Sequence, residues 1–185
     1  ELLKSRMYGE LTDKQQDRIE KIHRNGSRLL ELISDILDLN KIDAGKLKLD
    51  VAAFRIEPLI EQITGIVGAQ CEQKDLDLQV VFEEPLPRLF GDEKRISQVV
   101  SNLVDNAVKF TREGYVAIKV AGVQVKGGQA GDFPLPMRGW LRDGDWMIIS
   151  IEDTGVGISL EDQGRIFDEF SQADGSRTRE FSGTG

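Results

Sequence analysis

The spacing of apolar positions changes period along the chain, and each change marks an element. Behind Thr12, the residues Ile19, Ile22, Gly26, Leu29, Ile33, Ile36 and Asn40 alternate three and four apart, which is the seam of a heptad helix. Thr12 with Gln15 three residues on forms a capping-box signature at its start, and Asp43-Ala44-Gly45 closes it with glycine as the stop. Leu30 and Leu37 widen the stripe beyond what the short preceding segment could cover. That excess predicts a multi-helix bundle between two chains, a homodimer through helix 13–42; a monomeric helical hairpin lying on the following domain is the alternative. Glu1–Tyr8 reads as the tail of an earlier helix stopped by Gly9.

After Gly45 the period falls to two. LKLDVAAF (47–54) alternates like a strand, so a domain boundary is expected there, dividing 1–46 from 47–185. A helix from about Pro58 to Gln73 follows, with proline in its tolerated first turn and Leu59, Ile63, Ile66 and Val67 facing the core. Next come a strand at Leu76–Phe82, a proline turn through Pro85 and Pro87, and a helix at Asp92–Thr111. The expected core stripe of that helix is Ile96, Val99, Val100, Leu103 and Ala107. Tyr115–Val125 and Trp146–Glu152 read as antiparallel strands. The excursion between them, 126–145, is rich in glycine and proline and reads as a surface insertion tacked down by Phe133 and Trp140.

Composition narrows the possibilities. With 185 residues and 39% of them hydrophobic, the chain can build a real core. The net charge of −8 argues against a broad nucleic-acid face, so any anionic ligand must be held locally. A single cysteine, Cys71, excludes an intrachain disulfide and a cysteine-built zinc site, and is read as a small buried hydrophobe. No run approaches the roughly 18 apolar residues of a membrane span, and ELLKSRMYGE has no signal-peptide core. The expected location is cytoplasmic, with any membrane anchor outside these residues. The sole histidine, His23, is flanked by Lys21 and Arg24 and is read as a surface residue.

On the 92–111 helix, Asn102, Asn106 and Phe110 follow one another at i, i+4, i+8, with Lys109 beside them. Asparagine is a mediocre helix former, because its amide competes for backbone hydrogen bonds. Solvent exposure or a bond to a neighbouring loop would explain the pair. A ligand would too, since amide oxygens suit a hard cation such as Mg²⁺ and a lysine suits phosphate. Downstream, strand WMIISIE runs into Asp153-Thr154-Gly155-Val156-Gly157-Ile158, which reads either as a simple tight turn or as a ligand site, where two glycines permit a close backbone approach to a flat ligand and a strand-end carboxylate can accept from an amino group. Phe167 and Phe170 form a short apolar knob. The run to Gly183-Thr184-Gly185 offers backbone amides that could meet phosphates.

In order, NLVDNAVKF, DTGVGI, FDEF and GTG resemble the N, G1, F and G2 boxes of two-component sensor histidine kinases, and LELISDILDLNKIDAGKLKL is similar to the second helix of that family's dimerisation and phosphotransfer domain. The resemblance covers nearly the whole chain. It implies an α+β protein, in which a helical-bundle dimerisation segment precedes a Bergerat-type α/β sandwich that binds ATP, with helices layered on a mixed sheet. It implies that Asn106 binds Mg²⁺ directly, that Asn102 supports metal or phosphate, that Lys109 contacts phosphate and that Phe110 lies against adenine. Asp153 would hold the adenine amino group, Gly155, Gly157 and Ile158 would line that pocket, Phe167 and Phe170 would seat the flap, and Gly183, Thr184 and Gly185 would meet the nucleotide.

The γ-phosphoryl of ATP would pass to a histidine upstream of this chain, for relay to a response regulator or receiver domain; no catalytic residue is identified within the chain, and His23 matches the second helix rather than the acceptor. The catalytic domain is expected to be incomplete, stopping inside the G2 box and leaving the apolar face of Trp146–Ile151 exposed. Two alternatives remain, a GHKL-type ATPase with a glutamate poised on water and a non-catalytic dimeric sensor or scaffold.

Overall fold

The computed structural model describes residues 9, 11–83, 85–126 and 142–166. Two compact units divide between Leu49 and Asp50. The first is built on one helix, α1 (Asp13–Asp43), which starts at the expected cap: the Thr12 N–H donates to Gln15 Oε1 at 2.9 Å. Gly45, just past its end, takes φ +63°, the left-handed turn that stops a helix most cheaply when no side chain is present. Gly9 is likewise left-handed at φ +111°. Most of the seam is exposed along α1, Ile22 by 71% and Ile33 by 45%, with Ile19 half-buried.

The second unit orders β1 (Ala52–Phe54), α2 (Ile56–Gln73), β2 (Leu76–Glu83), β3 (Leu89–Gly91), α3 (Glu93–Phe110), β4 (Gly114–Val125), β5 (Gly144–Asp153) and α4 (Leu160–Gln163). Among the described residues β2, β4 and β5 form a sheet with β4 in the middle, parallel to β2 and antiparallel to β5, and β1 pairs antiparallel with β3. The mixed sheet with layered helices is the architecture the resemblance implied. Alternate residues of β4, Val116, Ile118 and Val120, face the helices and are fully buried with Ile56, Ile60, Val67 and Cys71 of α2 and Val100, Val104 and Val108 of α3. Cys71 is thus a core residue, and burial raises the pKa of its thiol.

Several expectations are corrected. The core stripe of α3 is turned by roughly 60° from the expected one, at about 100° per residue. Val100, Val104, Ala107 and Val108 are buried, whereas Val99 and Leu103 are 59% and 44% exposed. The apolar arc of this helix spans about half its circumference, and the sheet takes the half holding the β-branched Val104 and Val108. Similarly α2 buries Ile56, Ile60 and Cys71 beside Leu59, Ile63 and Val67, and leaves Ile66 in solvent. Of LKLDVAAF only Ala52–Phe54 pairs; Leu49 and Val51 are exposed. Its partner β3 was not anticipated, because three residues after a proline turn carry no alternation to read.

The hairpin β4–β5 is longer than expected, with Gly144 pairing to Val125. Met147, Ile149 and Ile151 of β5 are half-buried against the core and Trp146 is 39% exposed, so the expected bare face is partly covered. The rest of the insertion, including Phe133 and Trp140, lies outside the described residues.

At the head of α3, Asp92 does two jobs. One carboxylate oxygen accepts from the Arg95 N–H at 3.2 Å and caps the helix, and the other accepts from the Asp50 N–H at 3.0 Å, tying the start of the unit to α3. These N–H donors, Asp50 first, hold its carboxyl below the ordinary aspartate range.

Two outcomes follow from this packing. Val104→Ala should cost about 2 kcal/mol in urea unfolding and its neighbour Leu103→Ala less than about 1 kcal/mol; the reverse order would restore the expected stripe. Asp92→Ala should lower the melting temperature near neutral pH. Because folding lowers the Asp92 pKa, its contribution is present above the unfolded value and lost as pH falls through the folded one, so melts of wild type and variant should converge as pH falls below the ordinary aspartate range.

Candidate functional site

Chemistry gathers where the last turn of α3 meets the end of β5. The rotation of α3 that buries Val104 and Val108 turns Asn102 and Asn106 outwards, and both are exposed on one flank, one turn apart, with Val99 and Leu103 beside them. Phe110 continues the row and is half-buried. The Lys109 ammonium lies 4.8 Å from the centre of the Phe110 ring, within cation–π reach, which brings two of the expected site residues into contact. Lys109 also lines a cleft of about 440 Å³ with Gln70, Lys74, Asp105 and Val108 on the α2 side of the helix. That cleft shares only Lys109 with the expected site.

The helix end is closed with care. Thr111, fully buried, donates from both its N–H and its hydroxyl to the Ala107 carbonyl, at 3.0 and 2.7 Å. Lys74, at the end of α2, donates to the carbonyls of Val108, Lys109 and Thr111 at 2.6, 3.1 and 3.2 Å. A helix leaves its last carbonyls without intrahelical partners, and a cation there also opposes the negative end of the helix dipole. Sequence reading missed both residues.

Asp153 ends β5 opposite Val116, a core residue, so it lies on the helix-facing side of the sheet. Its Oδ1 accepts from the Gly155 N–H at 2.8 Å, folding the chain into a tight turn. Gly155 is where this turn touches α3: a Cβ there would sit 2.6 Å from Asp153 Oδ1 and 2.7 Å from the Phe110 carbonyl oxygen. Only a hydrogen fits, which gives the first glycine of DTGVGI a steric reason. Gly157 needs its freedom for φ +68°, with open space around it. Ile158 is exposed, and Ser159 caps α4 by accepting from the Asp162 N–H at 3.1 Å.

Thr154 anchors the turn from its other side. Its hydroxyl accepts from the Tyr115 N–H at 3.0 Å and donates to the Glu113 carbonyl at 3.1 Å, and its own N–H donates to the Tyr115 carbonyl at 3.2 Å. The neighbouring carboxylate, Glu152, lies on the opposite face of the sheet. It accepts from Lys119 Nζ at 2.8 Å and from the Tyr115 hydroxyl at 2.6 Å, which hold its carboxyl low, and the same hydrogen bonds, with its charge behind them, raise the pKa values of Lys119 and Tyr115. Of the two adjacent acids, one is engaged structurally and the other faces α3.

Asn102, Asn106, Lys109, Phe110, Asp153 and Gly155 therefore come from two elements that meet at Phe110. Phe167, Phe170, Gly183, Thr184 and Gly185 lie outside the described residues. Among the described residues no three His, Cys, Asp or Glu side chains cluster as a metal cage, and no helix is long and apolar enough to cross a membrane.

Comparison with known proteins adds the family. Residues 91–185 match the model of the "Histidine kinase-, DNA gyrase B-, and HSP90-like ATPase" family, and residues 1–45 match that of the "His Kinase A (phospho-acceptor) domain". The sensor histidine kinase GacS of Pseudomonas protegens is 36% identical over 95% of this chain and 18% of its own length. The circadian input-output histidine kinase CikA of Synechococcus elongatus is 37% identical over 96% of this chain and 21% of its own. The chain thus spans about a fifth of the relatives it matches. Among solved structures, full-length ShkA in complex with AMPPNP aligns with a TM-score of 0.67 and 27% identity, covering 91% of this chain and 32% of that one. The Acinetobacter baumannii histidine kinase AdeS aligns with a TM-score of 0.60 at 20% identity, covering 83% of this chain and 66% of that one, a likeness of fold. The chain belongs to the histidine kinase-, DNA gyrase B- and HSP90-like ATPase family, and with its phospho-acceptor segment it holds both domains of a two-component histidine kinase.

Proposed function

We propose that this chain is the cytoplasmic dimerisation and ATP-binding part of a sensor histidine kinase, binding Mg·ATP at the junction of α3 and β5. The observation that supports the reading is the contact of Gly155 with the Phe110 carbonyl, which sets the carboxylate turn against the end of the helix that carries the Asn–Lys–Phe flank. Asp153 would accept from the adenine amino group, and Phe110 would lie against the ring. Asn106, with Asn102 behind it, offers amide oxygens to Mg²⁺, an ion that keeps few protein ligands and takes the rest from phosphates and water; the exposure of both amides fits that habit. Lys109 would neutralise phosphate charge. Residues 167–185 would complete the pocket.

The reaction is phosphoryl transfer: the bond from the γ-phosphorus to the leaving oxygen of ADP breaks as one forms to an imidazole nitrogen, and catalysis rests on positioning and charge neutralisation. The acceptor is a histidine other than His23, which is exposed on α1 between Lys21 and Arg24. The match of residues 1–45 to a phospho-acceptor domain model favours a kinase over a hydrolysing ATPase. The exposed stripe of α1, including Ile22, Leu29, Leu30 and Ile33, supports a homodimer through helix 13–42. A response regulator or receiver domain would take the phosphoryl group onward.

Titration with a fluorescent ATP analogue should give Mg²⁺-dependent binding that Asn106→Ala or Asp153→Ala removes; unchanged binding in both variants would refute the site. Gly155→Ala, whose new methyl meets backbone that cannot yield, should weaken the same binding by about tenfold or more. Steady-state hydrolysis without a histidine acceptor would instead favour the ATPase reading.

A further inference from the structure

The backbone from Val108 to Thr111 is gripped from two sides. Lys74 holds the carbonyls of Val108, Lys109 and Thr111, and the carbonyl between them, that of Phe110, lies against Gly155. Lys74 reaches this place through the fold rather than through sequence proximity. Asp75 next to it adopts φ +56°, a left-handed conformation that aspartate tolerates better than most residues, so β2 starts at once, and its first residue, Leu76, pairs with Gly114 just beyond Thr111. The three donors of one ammonium match three carbonyls whose directions are set by the end of a helix.

We propose that Lys74 is a positioning residue of the nucleotide site, clamping the last turn of α3 so that the Phe110 carbonyl meets the Asp153–Gly155 turn. The proposal rests on the nucleotide reading above. Without the ammonium, three carbonyls at a helix end turn to water and the turn can fray, which shifts Lys109 and Phe110 and removes the surface on which Gly155 is seated. These three bonds go to backbone, so the effect of Lys74 on nucleotide through them is transmitted and not direct. Its neighbour in the cleft, Lys109, is the one expected at phosphate.

The test uses the full chain with Mg²⁺ and the fluorescent ATP analogue, well below the melting temperature, alongside backbone amide spectra without nucleotide. Lys74→Met keeps the stem and removes the charge; it should weaken binding by about tenfold and move the amide signals of Phe110 and Gly155. A lysine that only stabilises the fold would lower the melting temperature and leave both readouts of the folded protein unchanged, and that result overturns the proposal. Should Lys74→Met fail to fold, Lys74→Arg carries the test: a planar guanidinium cannot reproduce three bonds from one nitrogen, so binding should weaken about threefold, and a wild-type affinity overturns the proposal. Asn106→Ala serves as the control. If it abolishes binding while Lys74→Met leaves it intact, the clamp alone is wrong; if the wild type binds no nucleotide, the reading of the site fails and the clamp falls with it.

Discussion

The seat of α3 on the sheet decides which side chains remain for chemistry. Val100, Val104 and Val108 press onto Val116, Ile118 and Val120, and this contact fixes the helix about its own axis. Turned as it is, the helix presents Asn102, Asn106 and Phe110 along one flank and Lys109 beside them. Burial of apolar surface, at about 25 cal/mol per Å², supplies the force but no direction; direction comes from the shape of the β-branched residues against a strand whose alternate positions are all filled. The polar site is in this sense the remainder of the core.

How much of this was legible in the sequence depends on how local the signal was. The capping box at Thr12 and Gln15, the glycine stop at Gly45, the alternation of β4 and the turn chemistry of Asp153-Thr154-Gly155 are written within a few residues, and they were readable. The orientation of α3 was not, because its apolar arc is wide enough for two seats and the strand chooses between them. The roles of Lys74 and Thr154 were equally hidden. A lysine at the end of an amphipathic helix looks like any solvated lysine until the parallel pairing of β2 with β4 carries it to the end of another helix. The family resemblance supplied roles for side chains, whereas the support beneath them became visible only in three dimensions.

That support is mostly backbone. Thr111, Lys74 and Thr154 all bond main-chain carbonyls or N–H groups, and Gly155 contributes by having no side chain. Groups that bind ligand can commit only part of their polar atoms to the framework, as Asp153 commits one carboxylate oxygen to the Gly155 N–H. Separating the two tasks leaves Asn102 and Asn106 exposed while the helix end that carries them is tied on several sides.

The Lys119–Glu152–Tyr115 network on the outer face of the sheet has a meaning of its own in this light. Side chains of a strand alternate between faces, so sliding β5 past β4 by one residue would turn Asp153 out to solvent and bring Glu152 in. Exposed ion pairs contribute little to stability, but this one can form only when Glu152 stands diagonal to both Lys119 and Tyr115. It is matched to the register of the hairpin: a modest set of bonds facing away from the site forms in the same register that turns Asp153, rather than Glu152, towards α3.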